Sequence, residues 1–101
     1  MGGAYELIRR AIEERRRVEA SFDGRPRLFC PHAIGTRTGE RRALVFQIDG
    51  YSDRGLPPEG DWRCLAIDRL SEVAFTEGPW RTKEHSQPQH CIDEIDLSLV
   101  G

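Results

Sequence analysis

A chain of 101 residues, 38% hydrophobic and 32% charged, has the length for one domain with one modest core and excludes a second. No apolar run approaches the roughly 18 residues of a membrane span, and no secretory signal precedes the first predicted helix, so the expected location is the cytoplasm. The net charge of −2 is unevenly placed: residues 1–50 carry ten arginines against seven acidic groups, and residues 51–101 carry five basic groups against ten acidic ones. A basic first half permits phosphate contact. Fourteen of the fifteen basic residues are arginine, which fits bidentate anion contacts and equally fits the codon usage of a GC-rich genome.

Residues 4–16 are predicted to form a helix. Leu7, Ile8, Ala11 and Ile12 make one apolar stripe, and Glu6 with Arg10 makes an i,i+4 pair. The run Arg15-Arg16-Arg17 falls in the expected last turn, where cations complement the helix dipole, with a phosphate-binding patch as the other reading. Val18, Ala20 and Phe22 alternate with polar neighbours and predict a strand over 17–22 with one buried face. Asp23-Gly24 is a hairpin signal. A second strand is expected from about Arg25 to Ile34, with Pro31 marking an edge, a bulge or a bend. Thr38-Gly39 marks the next hairpin turn. Leu44, Phe46 and Ile48 alternate in a third strand from about Arg42 to Asp49.

From Gly50 to Asp61 the chain is rich in Gly, Pro and Asp and reads as a long loop. Residues 62–70 follow as a fourth strand with apolar groups on both faces and Arg63 within it. A charge there either pairs with a carboxylate inside the protein or faces an anionic ligand. A fifth strand is expected over about Ser71 to Thr76, ended by Glu77-Gly78-Pro79. Residues 81–90 have no period and read as a tether. Ile92, Ile95, Leu97, Leu99 and Val100 form a last apolar segment, either a short helix or a strand, docking on this domain or on a second copy.

One helix and about five short strands joined mainly by tight turns predict a mainly β (α+β) fold. The expected architecture is a small five-stranded SH3-like or Sm-like barrel over residues 1–79, with the N-terminal helix across one end. Residues 80–101 are then a C-terminal tail with its docking segment.

The order of these signals, ending in Arg63-x-Leu65-x-Ile67-Asp68-Arg69-Leu70, resembles the WYL domain family of bacteria over roughly residues 7–76. The family pattern pairs a helix ending in Ala-Ile with a strand bearing a central proline, a Trp-Tyr-Leu strand, and a strand close to Arg-x-Phe-x-Leu-Asp-Arg-Ile. The Trp-Tyr-Leu triad aligns near Arg42-Ala43-Leu44, where only Leu44 is kept. WYL proteins usually also carry a DNA-binding winged helix-turn-helix, for which 101 residues leave no room, so the resemblance implies a divergent, stand-alone domain. It further implies an Sm-fold ligand sensor of transcription regulation or defence, with a nucleic acid or nucleotide-like ligand. Arg63 and Arg69 would be the ligand-side cations, Asp68 would orient an arginine, and Arg27 is a further candidate.

Without the family, Asp68 reads as a cap on the turn after strand four, and Arg69 as the partner of Glu72 or a helix carboxylate. Phe29, Phe46, Tyr51 and Trp62 read either as core or as stacking surfaces for bases. Cys30-x-His32 and His90-Cys91 supply two sulfurs and two imidazoles, but their spacing does not match a structural zinc site, and no metal or other cofactor is expected. The three cysteines, Cys30, Cys64 and Cys91, are odd in number and are expected to be reduced thiols. No phosphate loop, nucleophile elbow or paired Cys-His motif marks an enzyme. The expected role is therefore a non-enzymatic module that binds an anionic ligand. The alternative is a protein-interaction module that homodimerises through Ile92–Val100.

Overall fold

The computed structural model describes residues 3–52, 55–83 and 90–99. The chain opens with α1 (Ala4–Glu14), which buries Ile8, Ala11 and Ile12, as its apolar stripe requires. The helix stops two residues earlier than expected, because Arg15 takes a left-handed conformation at φ 51°. The Arg15 and Arg16 amides then close on the Ile12 and Ala11 carbonyls at 3.3 and 2.9 Å. The arginine run therefore lies beyond the helix and not in its last turn, with Arg17 already in the first strand. The helical ion pair is Arg10 with Glu14, at 2.6 Å, and not Glu6 with Arg10.

Strands β1 (Arg17–Phe22), β2 (Arg25–Arg37) and β3 (Glu40–Gly50) are joined by the two tight turns expected from Asp23-Gly24 and Thr38-Gly39. All four turn residues have positive φ, and each loop is two residues long, as in a type I′ hairpin. β2 is longer than expected and serves two partners on one edge. Its residues 25–29 pair with β1 and its residues 33–36 pair with the last strand, while β3 runs along the other edge. Pro31 sits in the gap between those two partners, beside a register shift between Pro31 and Ala33, so its missing N–H breaks no ladder there.

The predicted fourth strand divides. β4 (Asp61–Ala66) ends before a 3-10 turn (Ile67–Arg69), and β5 (Leu70–Thr76) leaves that turn to pair with β1. β4 buries Leu65 alone, so it is less enclosed than its apolar composition implied. The final segment resolves to the strand alternative: β6 (Glu94–Ser98) pairs antiparallel with β2 of the same chain. Val100 and residues 84–89 of the expected tether lie outside the described residues.

The result is a mainly β fold with one helix and a six-stranded antiparallel sheet in the order β4-β3-β2-β1-β5, with β6 added to β2. The sheet is not closed, in contrast to the closed or nearly closed five-stranded barrel expected. Its two sides bury different clusters. Ile34, Ala43, Val45 and Leu65 face the helix and pack with Ile8, Ile12, Val18 and Phe29. The alternate residues Ala33 and Leu44 face the C-terminal segment and pack with Cys91 and Ile92, with Trp62 alongside. Burying a side chain such as Phe29 or Ile12 contributes about 1.5–3 kcal/mol, so the helix-side cluster is the main source of stability. Among the described residues, no helix is long and apolar enough to cross a membrane.

Candidate functional site

The β1–β2 hairpin sets Phe22 opposite Arg25 and Ala20 opposite Arg27. Phe22, Arg25 and Arg27 thus fall on one face at the turn end of the sheet. The guanidinium of Arg27 lies 4.9 Å from the centroid of the Phe22 ring, and that of Arg69 lies 4.7 Å from the same ring. Arg25 stacks in the same way on Tyr51, at 4.2 Å. Arg27 is buried, and its Nη1 donates to Gln47 Oε1 at 3.0 Å. Gln47, fully buried, donates onward to the carbonyls of Asp49 and Tyr51 at 3.1 and 2.9 Å, which ties the arginine to the start of the long loop.

Arg63 lies across the groove from this face. Its Nη1 donates to Asp61 Oδ2 and to the Trp62 carbonyl, both at 2.9 Å. Its Nη2 donates to Ser52 Oγ at 2.9 Å and to the Gly55 carbonyl at 3.2 Å. The side chain is 22% exposed. The Arg63 guanidinium holds the Asp61 carboxyl below the usual carboxylate range, against the opposing effect of burial. Between the two walls is a cavity of about 390 Å³ lined by Phe22, Arg27, Ser52, Trp62, Arg63 and Leu65. A second cavity, of about 370 Å³, adjoins Arg27 and carries Glu19, Asp49 and Glu72, so the two cavities have opposite charge.

Arg27 and Arg63 are therefore brought together, and Arg69 joins them through Phe22. Arg69 is exposed, and its carboxylate partner is Asp23 in the hairpin turn, bonded through Nε at 2.7 Å and also through Nη2. Arg69 holds the Asp23 carboxyl below its usual range. Asp68 is exposed on the 3-10 turn, next to Arg69 in the chain, while the carboxylate that engages Arg69 comes from 46 residues away. Of the aromatic residues weighed as stacking surfaces, Phe29 and Phe46 are core, at 0% and 2% exposure, and Tyr51 and Trp62 are half-buried. Phe22, read only as a strand residue, carries the guanidiniums of Arg27 and Arg69, as Phe75 on β5 carries those of Arg10 and Arg16. The signal for it lay in the hairpin: a two-residue turn places Phe22 beside Arg25, and the alternation then brings in Arg27.

The cysteines depart from expectation. Cys64 and Cys91 form a disulfide, and only Cys30 is a free thiol. Sequence parity showed that one cysteine must be left over but not that the other two meet. Burial pushes the Cys30 thiol up, and the Arg81 amide at 3.4 Å from its sulfur opposes this. His32 is buried, and its Nδ1 donates to the Cys30 carbonyl at 2.7 Å, which leaves Nε2 to accept from the Thr82 hydroxyl at 2.8 Å. Its ring contacts Trp62 and Trp80, both at 4.7 Å between centroids, and Trp62 in turn packs on Phe46 at 5.4 Å. This aromatic cluster joins strands β2, β3 and β4 to the irregular segment 77–83, and it takes up the histidine weighed as a metal ligand. No family model, curated protein or solved structure matches the chain.

Proposed function

We propose that this chain is a non-enzymatic ligand-binding module of the WYL-like kind, serving transcriptional regulation or defence. Its groove takes an anionic ligand with a flat face, a nucleotide or a single strand of nucleic acid. The observation that carries this reading is the meeting of Arg27 and Arg63 with Phe22 in one cavity, with Arg69 packed on the Phe22 ring. Guanidiniums attract phosphate and aromatic rings stack on bases, so both halves of such a ligand have a partner. Strand order supports the barrel part of the proposal. β4 and β5 are the two ends of the sheet, yet only a three-residue 3-10 turn separates them, as in a small Sm-like or SH3-like barrel with an open seam.

The arginines divide the work. Arg69 and Asp23 form an exposed ion pair screened by water, so a phosphate can replace the carboxylate at small cost. Arg27 supplies a buried positive charge beneath Phe22. Arg63 adds charge to the opposite wall, and its four hydrogen bonds hold that wall in shape.

Binding of a fluorescent single-stranded oligonucleotide, with a mononucleotide panel beside it, tests the proposal against Arg27→Ala, Arg69→Ala and Phe22→Ala. With two phosphate contacts on a single strand, affinity should fall about sevenfold between 50 and 200 mM salt. It should drop further in each variant. Binding that ignores salt and all three substitutions would remove the proposal. A second reading then comes first, favoured by Ile95, which is 51% exposed on β6. In that reading the strand is a contact between copies of the chain, and Ile95→Lys lowers the mass measured by sedimentation.

A further inference from the structure

Cys64 and Cys91 differ in access. Cys64 lies exposed on β4, while Cys91 is 5% exposed and packed with Ala33, Leu44 and Ile92. Their bond joins the segment that leads into β6 to a strand two positions away from β2 in the sheet. Apart from this bond, β6 is held by a short ladder, a few flanking contacts and the packing of Leu97 against the helix-side core. It pairs with β2 at Ala33, Ile34, Gly35 and Thr36 only, with a register shift between Ile34 and Gly35. The flanking amides of Asp93 and Leu99 donate to the Thr36 and His32 carbonyls at 2.9 and 2.8 Å. Tyr5 donates its hydroxyl to Asp96 Oδ2 at 2.6 Å. Gly35 is what lets β6 come so near, since a Cβ there would collide with the Glu94 carbonyl and lie 2.6 Å from Ile92 Cγ2.

We propose that Cys64–Cys91 is a thiol–disulfide exchange site, and that its reduction by a dithiol releases β6 from the edge of β2. One thiolate of the reductant attacks the exposed Cys64 sulfur. The protein S–S bond breaks, a mixed disulfide forms at Cys64, and Cys91 leaves as a thiolate that takes a proton. The Ala43 carbonyl, 3.6 Å from the Cys91 sulfur, then accepts from the new thiol. The second thiolate of the reductant attacks its own sulfur in the mixed disulfide. It expels the Cys64 thiolate, and the reductant departs as a disulfide, two electrons and two protons having passed to the protein. Arg42 Nη1, 3.9 Å from the Cys64 sulfur, stabilises that departing thiolate. Cys30 takes no part, being fully buried. With the bond broken, β6 keeps its short ladder, the flanking Asp93 and Leu99 amide bonds, the Tyr5–Asp96 hydrogen bond and the packing of Leu97. Its release bares the β2 edge at Ala33–Thr36, an unpaired row of backbone donors and acceptors.

The test uses the full chain with and without dithiothreitol. Alkylation under denaturing, non-reducing conditions should label one cysteine before reduction and three after it. After native reduction, hydrogen exchange at residues 94–98 and 33–36 should quicken by at least about tenfold more than exchange of the β1 amides, which report the loss of global stability alone. Gly35→Ala should quicken exchange at residues 94–98 with the disulfide intact, which separates strand release from any effect of the sulfurs themselves. Three labelled cysteines before reduction would overturn the proposal. So would unchanged exchange at residues 94–98 after reduction, or an equal gain in exchange rate throughout the chain.

Discussion

Replacing Arg63 by alanine separates a clamp from a ligand contact. The side chain makes four hydrogen bonds, to Asp61, Ser52 and the carbonyls of Trp62 and Gly55. Hydrogen bonds from a charged donor are worth about 1.5–3 kcal/mol when buried. Here the carboxylate partner is half exposed and two of the acceptors sit on an open loop, so about 0.5 kcal/mol each is the fitting figure, or about 2 kcal/mol in all. For a domain of this size that corresponds to a fall in Tm of about 8–16 °C. The loop that follows β3 should also become a site of proteolytic cleavage, because this guanidinium ties its Ser52 and Gly55 to β4. Arg63→Lys keeps the charge but not the fork, so it should recover less than half of the loss. Thermal melting by circular dichroism and limited proteolysis at pH 7 read both effects. A Tm within about 2 °C of wild type, with the loop still protected, would refute the clamp and leave Arg63 free to serve the ligand directly.

Three further outcomes are expected. His32 is held neutral in the fold, chiefly by burial, with its pKa lowered, so the unfolded chain binds the proton more readily. Its contribution is fully present above the ordinary histidine pKa of about 6.5 and is lost as pH falls below it. Melts between pH 7.5 and 5.5 should therefore show a decline in wild type that is absent in His32→Gln, and parallel curves would contradict this. The Cys64→Ser/Cys91→Ser variant gives up a cross-link between residues 27 apart, for which the chain-entropy account gives about 3.5 kcal/mol. Urea unfolding should give an unfolding free energy lower by about that amount, with the midpoint lowered in proportion, and no change would contradict this account. Gly50→Ala should destabilise strongly, because Gly50 has φ 98° and a Cβ there would lie 2.5 Å from the Pro26 carbonyl oxygen. An unaltered melting curve would show that the hairpin end can shift aside.

The local features were legible because their causes are local. The stripe of Ile8, Ala11 and Ile12, the alternation of Val18, Ala20 and Phe22, and the Asp23-Gly24 and Thr38-Gly39 turns each depend on side chains a few residues apart. The helix end escaped because Arg15 adopts a left-handed conformation without the glycine or asparagine that usually marks one. Arg27, Arg63 and Arg69 were singled out from the chain, two of them through the Arg63-to-Leu70 motif, but their surroundings were not. A charged side chain takes whichever partner the fold brings within reach, and for Arg69 that is Asp23 and not its neighbour Asp68. The last segment shows the same division. Ile95, Leu97 and Leu99 already alternate as a strand does, yet only β2, with an edge left open beyond its pairing with β1, decides that the segment is a strand and where it docks. Three cysteines imply by count alone that one stays unpaired. Which one it is follows from a sheet that buries Cys30 under His32 and Arg81 and brings Cys91 against β4. Composition and period thus determined the elements, and the packing of residues far apart in the chain determined the chemistry each charged or sulfur-bearing group can do.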